Sequence, residues 1–375
     1  MSADEQLPPD PALGPVGIAL DGGAVAGLLG VERCVPRYAR YRPARQLQVL
    51  YELESGSLAH LTVLPPARAE RLWGRVAASG LLERVPGGAR RVPELGAVLQ
   101  RYPVDVRLPG LVEASAAAEL VRYKPGRRAV LRYRLDGRVV YGKLRADDAG
   151  AEHVRLGREL IERGIATPTP LRYEQSLRMA VHEAAPGTRL ADLRGAALED
   201  WMEPVAETLA RLHAARVPGL AAHSMGREVE ELRAAADTAA ALLPHRRTAI
   251  EELCERVVAR HAAVRPGAHT IHGSFHDDQV LVGEAGAVLL DLDSAAVGDP
   301  LLDVGHFASY LSASGQTAAR ARFLAAYGRE APLQEAASLV RWSSLPFRRL
   351  EPGWPAAVER RLELAAERLG DSSMR

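Results

Sequence analysis

A chain of 375 residues with 47% hydrophobic and 25% charged side chains can bury a sizeable core, and its length suits two lobes plus an accessory piece. Its 48 basic and 47 acidic side chains leave a net charge of +1, which excludes the strongly basic balance of a nucleic-acid binder and gives an anionic membrane no purchase. Two cysteines without metal-ligand spacing, no run near the ~20 apolar residues of a bilayer span, and an acidic, proline-bearing start unlike an export signal together point to a reducing cytoplasm.

Residues 1–16 read as a flexible tail. From 17 to 110, short apolar runs alternate with turns around one helical stretch at Ala67–Ala78. Arg101–Gly110, with two prolines, reads as a linker or strand edge. Three strands follow: Ala118–Lys124, Ala129–Leu135 after the Pro125-Gly126-Arg127 turn, and Val139–Leu144 after the tight Asp136-Gly137 hairpin. Glu152–Gly164 has helical spacing and a glycine stop, reinforced by Pro168 and Pro170. Strands near Leu171–Glu174 and Arg178–Glu183 complete an antiparallel sheet with one helix. After Pro186-Gly187 the spacing is helical near 198–215, 226–242 and 246–262. A loop and hairpin at 272–293 interrupt it, and helices resume from Pro300, broken again between Pro346 and Pro355. A small sheet lobe followed by a large helical lobe is a bilobal α+β layout.

One stretch recurs. Arg40–Leu53 (RYRPARQLQVLYEL) matches Arg122–Leu135 (RYKPGRRAVLRYRL) at six of fourteen aligned positions. Coincidence in an arginine-rich chain is one reading. The other is a partial duplicate of the sheet, serving as an N-terminal cap over 17–110 that packs, or receives a substrate or partner. The first copy has no lysine to match Lys143 of the second.

Three places carry chemistry. Lys143 lies in an apolar strand, where an ammonium needs a partner; the plain alternative is a lysine that snorkels from an edge strand. Asp291 and Asp293, two apart after the apolar run ending at Leu290, are expected to point the same way and suit a hard cation; otherwise they are turn acids. Between these lies His272-Gly-Ser-Phe-His-Asp-Asp-Gln279, rich in groups that move protons or bind metals.

This loop, the following Asp291-Leu-Asp293 and the later Gly298-Asp-Pro-Leu-Leu-Asp303 resemble the catalytic and metal-binding segments of the aminoglycoside phosphotransferase/choline kinase family. Arg211-Leu-His213-Ala-Ala215 resembles a helix end common in it. The likeness spans about 115–345 and implies a bilobal protein-kinase-like fold, with an N-lobe over 111–186 and a helical C-lobe over 187–375. It implies ATP and Mg2+ as cofactors and a small hydroxyl-bearing acceptor such as an aminoglycoside, an amino alcohol or a sugar.

By the same resemblance Lys143 contacts phosphate, with Glu152 as its ion-pair partner and Glu159 as the alternative. The Tyr123–Arg128 turn, with Gly126 and Arg127, takes the place of the phosphate loop, its amides and basic side chains over the phosphates, and Glu183 lies in the adenine hinge. Gln279, Asp291 and Asp293 would hold the metal, and His272 and Asp303 would brace the loop. Ser274 stands where the family carries its base aspartate, and Gln279 where it carries an asparagine. A serine hydroxyl is no general base near neutral pH, so either Asp277, Asp278 or His276 fills that place or the base is gone, with Asp277 and Asp278 then plain solvated loop charge. The function implied is a small-molecule phosphotransferase with an altered base. The alternatives are a pseudokinase that works with a protein partner through the cap, and a kinase of peptide Ser/Thr.

Overall fold

The computed structural model describes residues 7–261, 264 and 267–370; residues 1–6 of the expected tail lie outside the described residues. The fold is α+β. Two five-stranded antiparallel sheets come first in the chain, and a helical lobe follows.

The first sheet is built from β1 (Cys34–Arg42), β2 (Gln46–Leu53), β3 (Leu58–Val63), β4 (Ala89–Val92) and β5 (Ala97–Arg101), in spatial order β1-β2-β3-β5-β4. Helix α1 (Gly22–Leu29) precedes it, and α2 (Pro66–Ala77) and α3 (Leu81–Arg84) connect β3 to β4. After α4 (Leu111–Ser115) the second sheet repeats the plan with β6 (Glu119–Lys124), β7 (Arg128–Leu135), β8 (Arg138–Arg145), β9 (Pro170–Glu174) and β10 (Met179–Glu183), in order β6-β7-β8-β10-β9. Helix α5 (Gly150–Glu162) occupies the place that α2 holds in the first sheet. The β7–β8 hairpin turns on Asp136 and Gly137, both at positive φ (50° and 79°), the pattern for which Asp-Gly is suited.

Strand alternation explains how the sheets pack. In the first sheet Leu47, Val49, Leu61, Val63 and Leu99 are at most 2% exposed and share one face. That face is buried against Leu232, Ile250, Leu253, Leu339, Phe347 and Leu362 of the helical lobe. The matching apolar face of the second sheet, with Ala129, Leu131, Leu144 and Val181, packs on Leu108, Leu111 and, from the first sheet, Leu50. The first sheet thus touches both lobes. Residues 7–16 do not behave as a loose tail. Leu7, Leu13 and Val16 join the core over the first sheet, and Asp10 accepts from the Tyr41 hydroxyl (2.7 Å) and the Ala44 amide (2.8 Å).

The helical lobe comprises α6 (Ala196–Glu199), α7 (Met202–Ala214), α8 (Met225–Leu242), α9 (Arg247–His261), α10 (Leu301–Ala313), α11 (Thr317–Tyr327), α12 (Pro332–Arg341), α13 (Leu345–Arg348) and α14 (Trp354–Arg368). Strand β11 (Thr188–Arg189) joins the hairpin of β13 (Val280–Gly283) and β14 (Gly286–Leu289), and β12 (His269–Ile271) pairs with β15 (Ala296–Gly298). Phe275, Leu289 and Phe307 share one core with Leu156 and Leu160 of α5, so the loop at 272–279 is anchored to both lobes. Among the described residues, no helix is long and apolar enough to cross a membrane.

Candidate active site

The loop between β12 and β13 is held from beneath by Asp303 on α10. Its carboxylate accepts from the amides of His272 (2.6 Å) and Gly273 (2.8 Å) and from Nε2 of His213 (3.0 Å). Burial pushes the Asp303 carboxyl up, but the His213 bond and these amides outweigh it, and its pKa is lowered. His213 in turn meets the Tyr327 hydroxyl at 2.7 Å. The His272 ring is fully buried and bonds the Leu290 carbonyl through Nε2 at 2.8 Å. It ties the loop to the Asp291 segment and is not open to a substrate, so its part is bracing, not catalysis. Gly273 has φ +77°, and a Cβ there would come within 2.2 Å of the Ser294 carbonyl, so only glycine lets the two segments approach this closely.

Burial keeps His272 and His306 neutral, as it does His60 in the first sheet, and all three pKa values lie below the ordinary 6.5. The unfolded chain therefore binds more protons in acid, so this stability is complete above about pH 6.5 and is lost as pH falls. Urea unfolding between pH 7.5 and 5.5 is expected to show a fall on the order of 1.4 kcal/mol per pH unit below 6.5 for each histidine that stays neutral. A flat profile over that range would contradict it.

Above the loop, Asp291 and Asp293 converge on the second sheet. Lys143 Nζ lies 2.5 Å from Asp291 Oδ1 and 2.6 Å from Asp293 Oδ2. Arg128 Nη1 is 2.9 Å from Asp291 Oδ2, and Arg145 pairs with Asp293. The convergence does not arise from strand alternation, because β14 ends at Leu289. Asp291 instead adopts a left-handed conformation (φ 58°, ψ 47°), and a 3-10 turn brings Asp293 round beside it. A non-glycine residue held there is strained, a feature concentrated at functional sites. Burial pushes the Asp291 carboxyl up, yet Lys143 and Arg128 hold it well below the usual carboxylate range.

Glu152 is not the partner of Lys143. It is half exposed and pairs with Arg155 on its own helix at 2.5 Å, and Glu159 pairs with Arg163. The next residue, His153, faces inward instead, with Nδ1 3.3 Å from Asp293 Oδ1. His182 lies on the same side and is pushed down to about 4, by burial and then by Lys143. Arg128 belongs to the basic turn expected over the phosphates, whereas Arg145 and His153 are not legible as site residues in the sequence, although a signal exists for Arg145. Arg145 lies two residues from Lys143 on β8, and Arg128 is its direct cross-strand partner.

Gln279 is buried, with Nε2 3.3 Å from Asp291 Oδ2 and 3.1 Å from His276 Nε2. Ser274 is half-buried and makes no hydrogen bond with a described residue. Asp277 lies 3.5 Å from His276 Nδ1, whose ring stacks on Tyr310 with centroids 4.5 Å apart. Asp278 is drawn to Arg122 (3.7 Å) and Arg189 (3.5 Å), one from each lobe. Glu183 reaches Arg138 at 3.3 Å, where the inner strand β10 ends and the inner strand β8 begins. Gly126 and Arg127 line a different cavity, and it is Arg128 of that turn that enters the cluster.

A model of the phosphotransferase enzyme family matches residues 120–339, more than half of the chain. The chain belongs to this family. The match begins at the second sheet and leaves the first 119 residues outside it. Among solved structures, the family member shares its fold with a thermostable mutant of aminoglycoside phosphotransferase APH(4)-Ia, solved with ADP and hygromycin B. The identity is 15% and the TM-score 0.52, over 67% of this chain and 93% of that one. It is similar to spectinomycin phosphotransferase APH(9)-Ia, solved with ADP and spectinomycin, at 10% identity and a TM-score of 0.51, again over 67% and 93%. No protein of curated function matches the chain.

Among the described residues no three His, Cys, Asp or Glu side chains gather as a metal cluster. The donors at hand are the Asp291 and Asp293 carboxylates, close enough for one ammonium to bridge, and the Gln279 carboxamide, whose Oε1 faces Asp291 after a half-turn. This all-oxygen set suits Mg2+.

Proposed function

We propose that this family member is an ATP-dependent, Mg2+-assisted phosphotransferase acting on the hydroxyl of a small molecule. The observation that carries the reading is the cluster in which Lys143, Arg128 and Arg145 of the second sheet meet Asp291 and Asp293 of the helical lobe. Phosphoryl transfer needs charge neutralised and groups held in line, and little else from the protein. Mg2+, held by Asp291, Asp293 and Gln279, would neutralise charge on the nucleotide phosphates. Lys143 and Arg128 then offer their N–H groups to the same oxygens.

The surroundings of the loop bear on the acceptor. Asp278 is countered by Arg122 and Arg189, and Arg349 and Arg361 lie within electrostatic reach of Asp277. Carboxylates already countered by arginine are poor receivers of a cation, so a neutral or anionic hydroxyl compound, such as a sugar, fits better than an aminoglycoside or choline.

Ser274 carries no carboxylate, and the loss of a positioned base typically costs about 10²–10⁴ in rate. Ser274→Asp is therefore expected to raise nucleotide-dependent phosphorylation of an accepted sugar by about 10²-fold or more, while Ser274→Ala leaves the rate unchanged. Product formation followed by mass spectrometry checks both. The second reading, a pseudokinase, is favoured by Ser274 itself and by a Lys143 fully engaged with both aspartates. Nucleotide binding without turnover in the wild type and in Ser274→Asp alike would select it.

A further inference from the structure

The register of the two sheets places a second site-like face in the first 110 residues. In the second sheet the row that holds the lysine runs Arg122–Val130–Lys143–Ala180 across β6, β7, β8 and β10. In the first sheet the corresponding row runs Arg40–Gln48–Thr62–Val98 across β1, β2, β3 and β5. Thr62 thus stands in register where the second sheet carries Lys143, one position away from where residue-by-residue alignment of the repeat would put it. Leu53 stands opposite Ser57, and the three-residue turn between them, against the two residues Asp136-Gly137, makes that difference. The neighbouring pair His60–Gln100 corresponds to Tyr141–His182. Helix α2 follows β3 as α5 follows β8.

This face is buried and yet polar. Gln48, His60, Thr62 and Gln100 are at most 9% exposed, whereas a buried sheet face ordinarily carries apolar side chains. Two of their bonds run among themselves, with Gln48 donating to Thr62 (3.2 Å) and Gln100 meeting His60 (3.0 Å), and two run outward, to the Tyr123 hydroxyl (3.1 Å) and the Val106 amide (2.8 Å). Above them opens a cavity of about 490 Å3, within the range of roughly 300–1,000 Å3 found for small-ligand sites.

Six arginines line the cavity: Arg40 from β1, Arg68, Arg71 and Arg75 from α2, Arg107, and Arg127 from the β6–β7 turn. Arg68 gives one N–H to the Arg45 carbonyl. The other five have no carboxylate within ion-pair distance and no side-chain hydrogen bond among the described residues. The one acid in the lining, Asp105, is already used. It accepts from the Tyr123 hydroxyl (2.9 Å) and from the amides of Gly126 (2.6 Å) and Arg107 (2.9 Å). Burial, together with Arg127, Arg42 and Arg348, drives the Arg40 guanidinium down to about 9. An arrangement of like charges around a polar floor is costly when empty and is relieved by an anion.

We propose that this cavity binds a small phosphate-bearing molecule, held by the forked N–H groups of the arginines on the face of the first sheet. Guanidinium forks match phosphate oxygens two at a time, which a row of lysines would not do. The site shares no lining residue with the Lys143–Asp291–Asp293 cluster, so it stands apart from the proposed transferase chemistry. It abuts that chemistry through one turn: Arg127 lines the cavity, and the next residue, Arg128, grips Asp291.

The test is calorimetric titration of the full chain with inorganic pyrophosphate, at ionic strength matched with NaCl. The doubly substituted Arg71→Gln/Arg75→Gln alters two exposed positions of α2, so the fold is kept. Lys143→Ala separates this site from the cluster. Expected are saturable binding in the wild type, at least tenfold weaker binding in the double variant, and unchanged binding in Lys143→Ala. No saturable binding, equal affinity in the double variant, or loss only in Lys143→Ala overturns the proposal. So does binding of citrate as tightly as pyrophosphate, or capture of a poly-glutamate peptide by a protein that ignores pyrophosphate.

Discussion

Replacing Asp303 by alanine is expected to destabilise the protein by about 3–5 kcal/mol in urea unfolding. The carboxylate is 1% exposed and accepts from two consecutive loop amides and from His213. Each buried donor left without a partner costs about 1–3 kcal/mol. Asp303→Asn keeps the volume and one acceptor oxygen, and should lose about half as much. Because the two amides belong to His272 and Gly273, the loop that carries Ser274 should loosen first. Hydrogen exchange at 272–274 in the asparagine variant is then expected to rise before global unfolding. A loss below 1 kcal/mol in the alanine variant would mean that the loop is held by Phe275 and the His272–Leu290 bond alone.

The second large effect is on nucleotide affinity. Asp291→Asn keeps a side chain that tolerates the left-handed backbone at φ 58°, so it removes charge without adding strain. Lys143 and Arg128 lose a shared partner, and the oxygen set for Mg2+ loses one of its two carboxylates. Calorimetry with ATP is expected to show binding at least tenfold weaker in the presence of Mg2+, with the difference between Mg2+ and EDTA abolished. Lys143→Ala should weaken ATP in both conditions, because it removes a cation that acts on phosphate directly. Full metal dependence retained in Asp291→Asn would move the metal to another set of residues.

These outcomes depend on features of unequal legibility in the sequence. The order of strands and helices from 118 onward follows from periodicity and turn residues: Asp136-Gly137 marks a hairpin, and the helical spacing of 226–242 appears as α8 (Met225–Leu242). Composition likewise carries the need for a partner at Lys143, since an ammonium among Val139, Val140 and Leu144 cannot be left alone. The identity of that partner is another matter. On a helix each residue turns about 100°, so one residue decides whether Glu152 or His153 faces the sheet. Packing of Val154, Leu156 and Leu160 against the cores set that phase.

The sequence alone therefore determined the α+β class, the bilobal order, the family likeness of the loop, and the need of a sheet lysine for an acidic partner. Tertiary structure decided which side chains share a space. It brought Arg128 and Arg145 beside Lys143, turned Glu152 outward, and laid Gly126-Arg127 over the polar face of the first sheet. It also put Thr62, not Leu61, in register with Lys143. Local patterns record which face of an element is buried. They do not record what lies opposite, because that depends on contacts between residues far apart in the chain, such as Lys143 and Asp291.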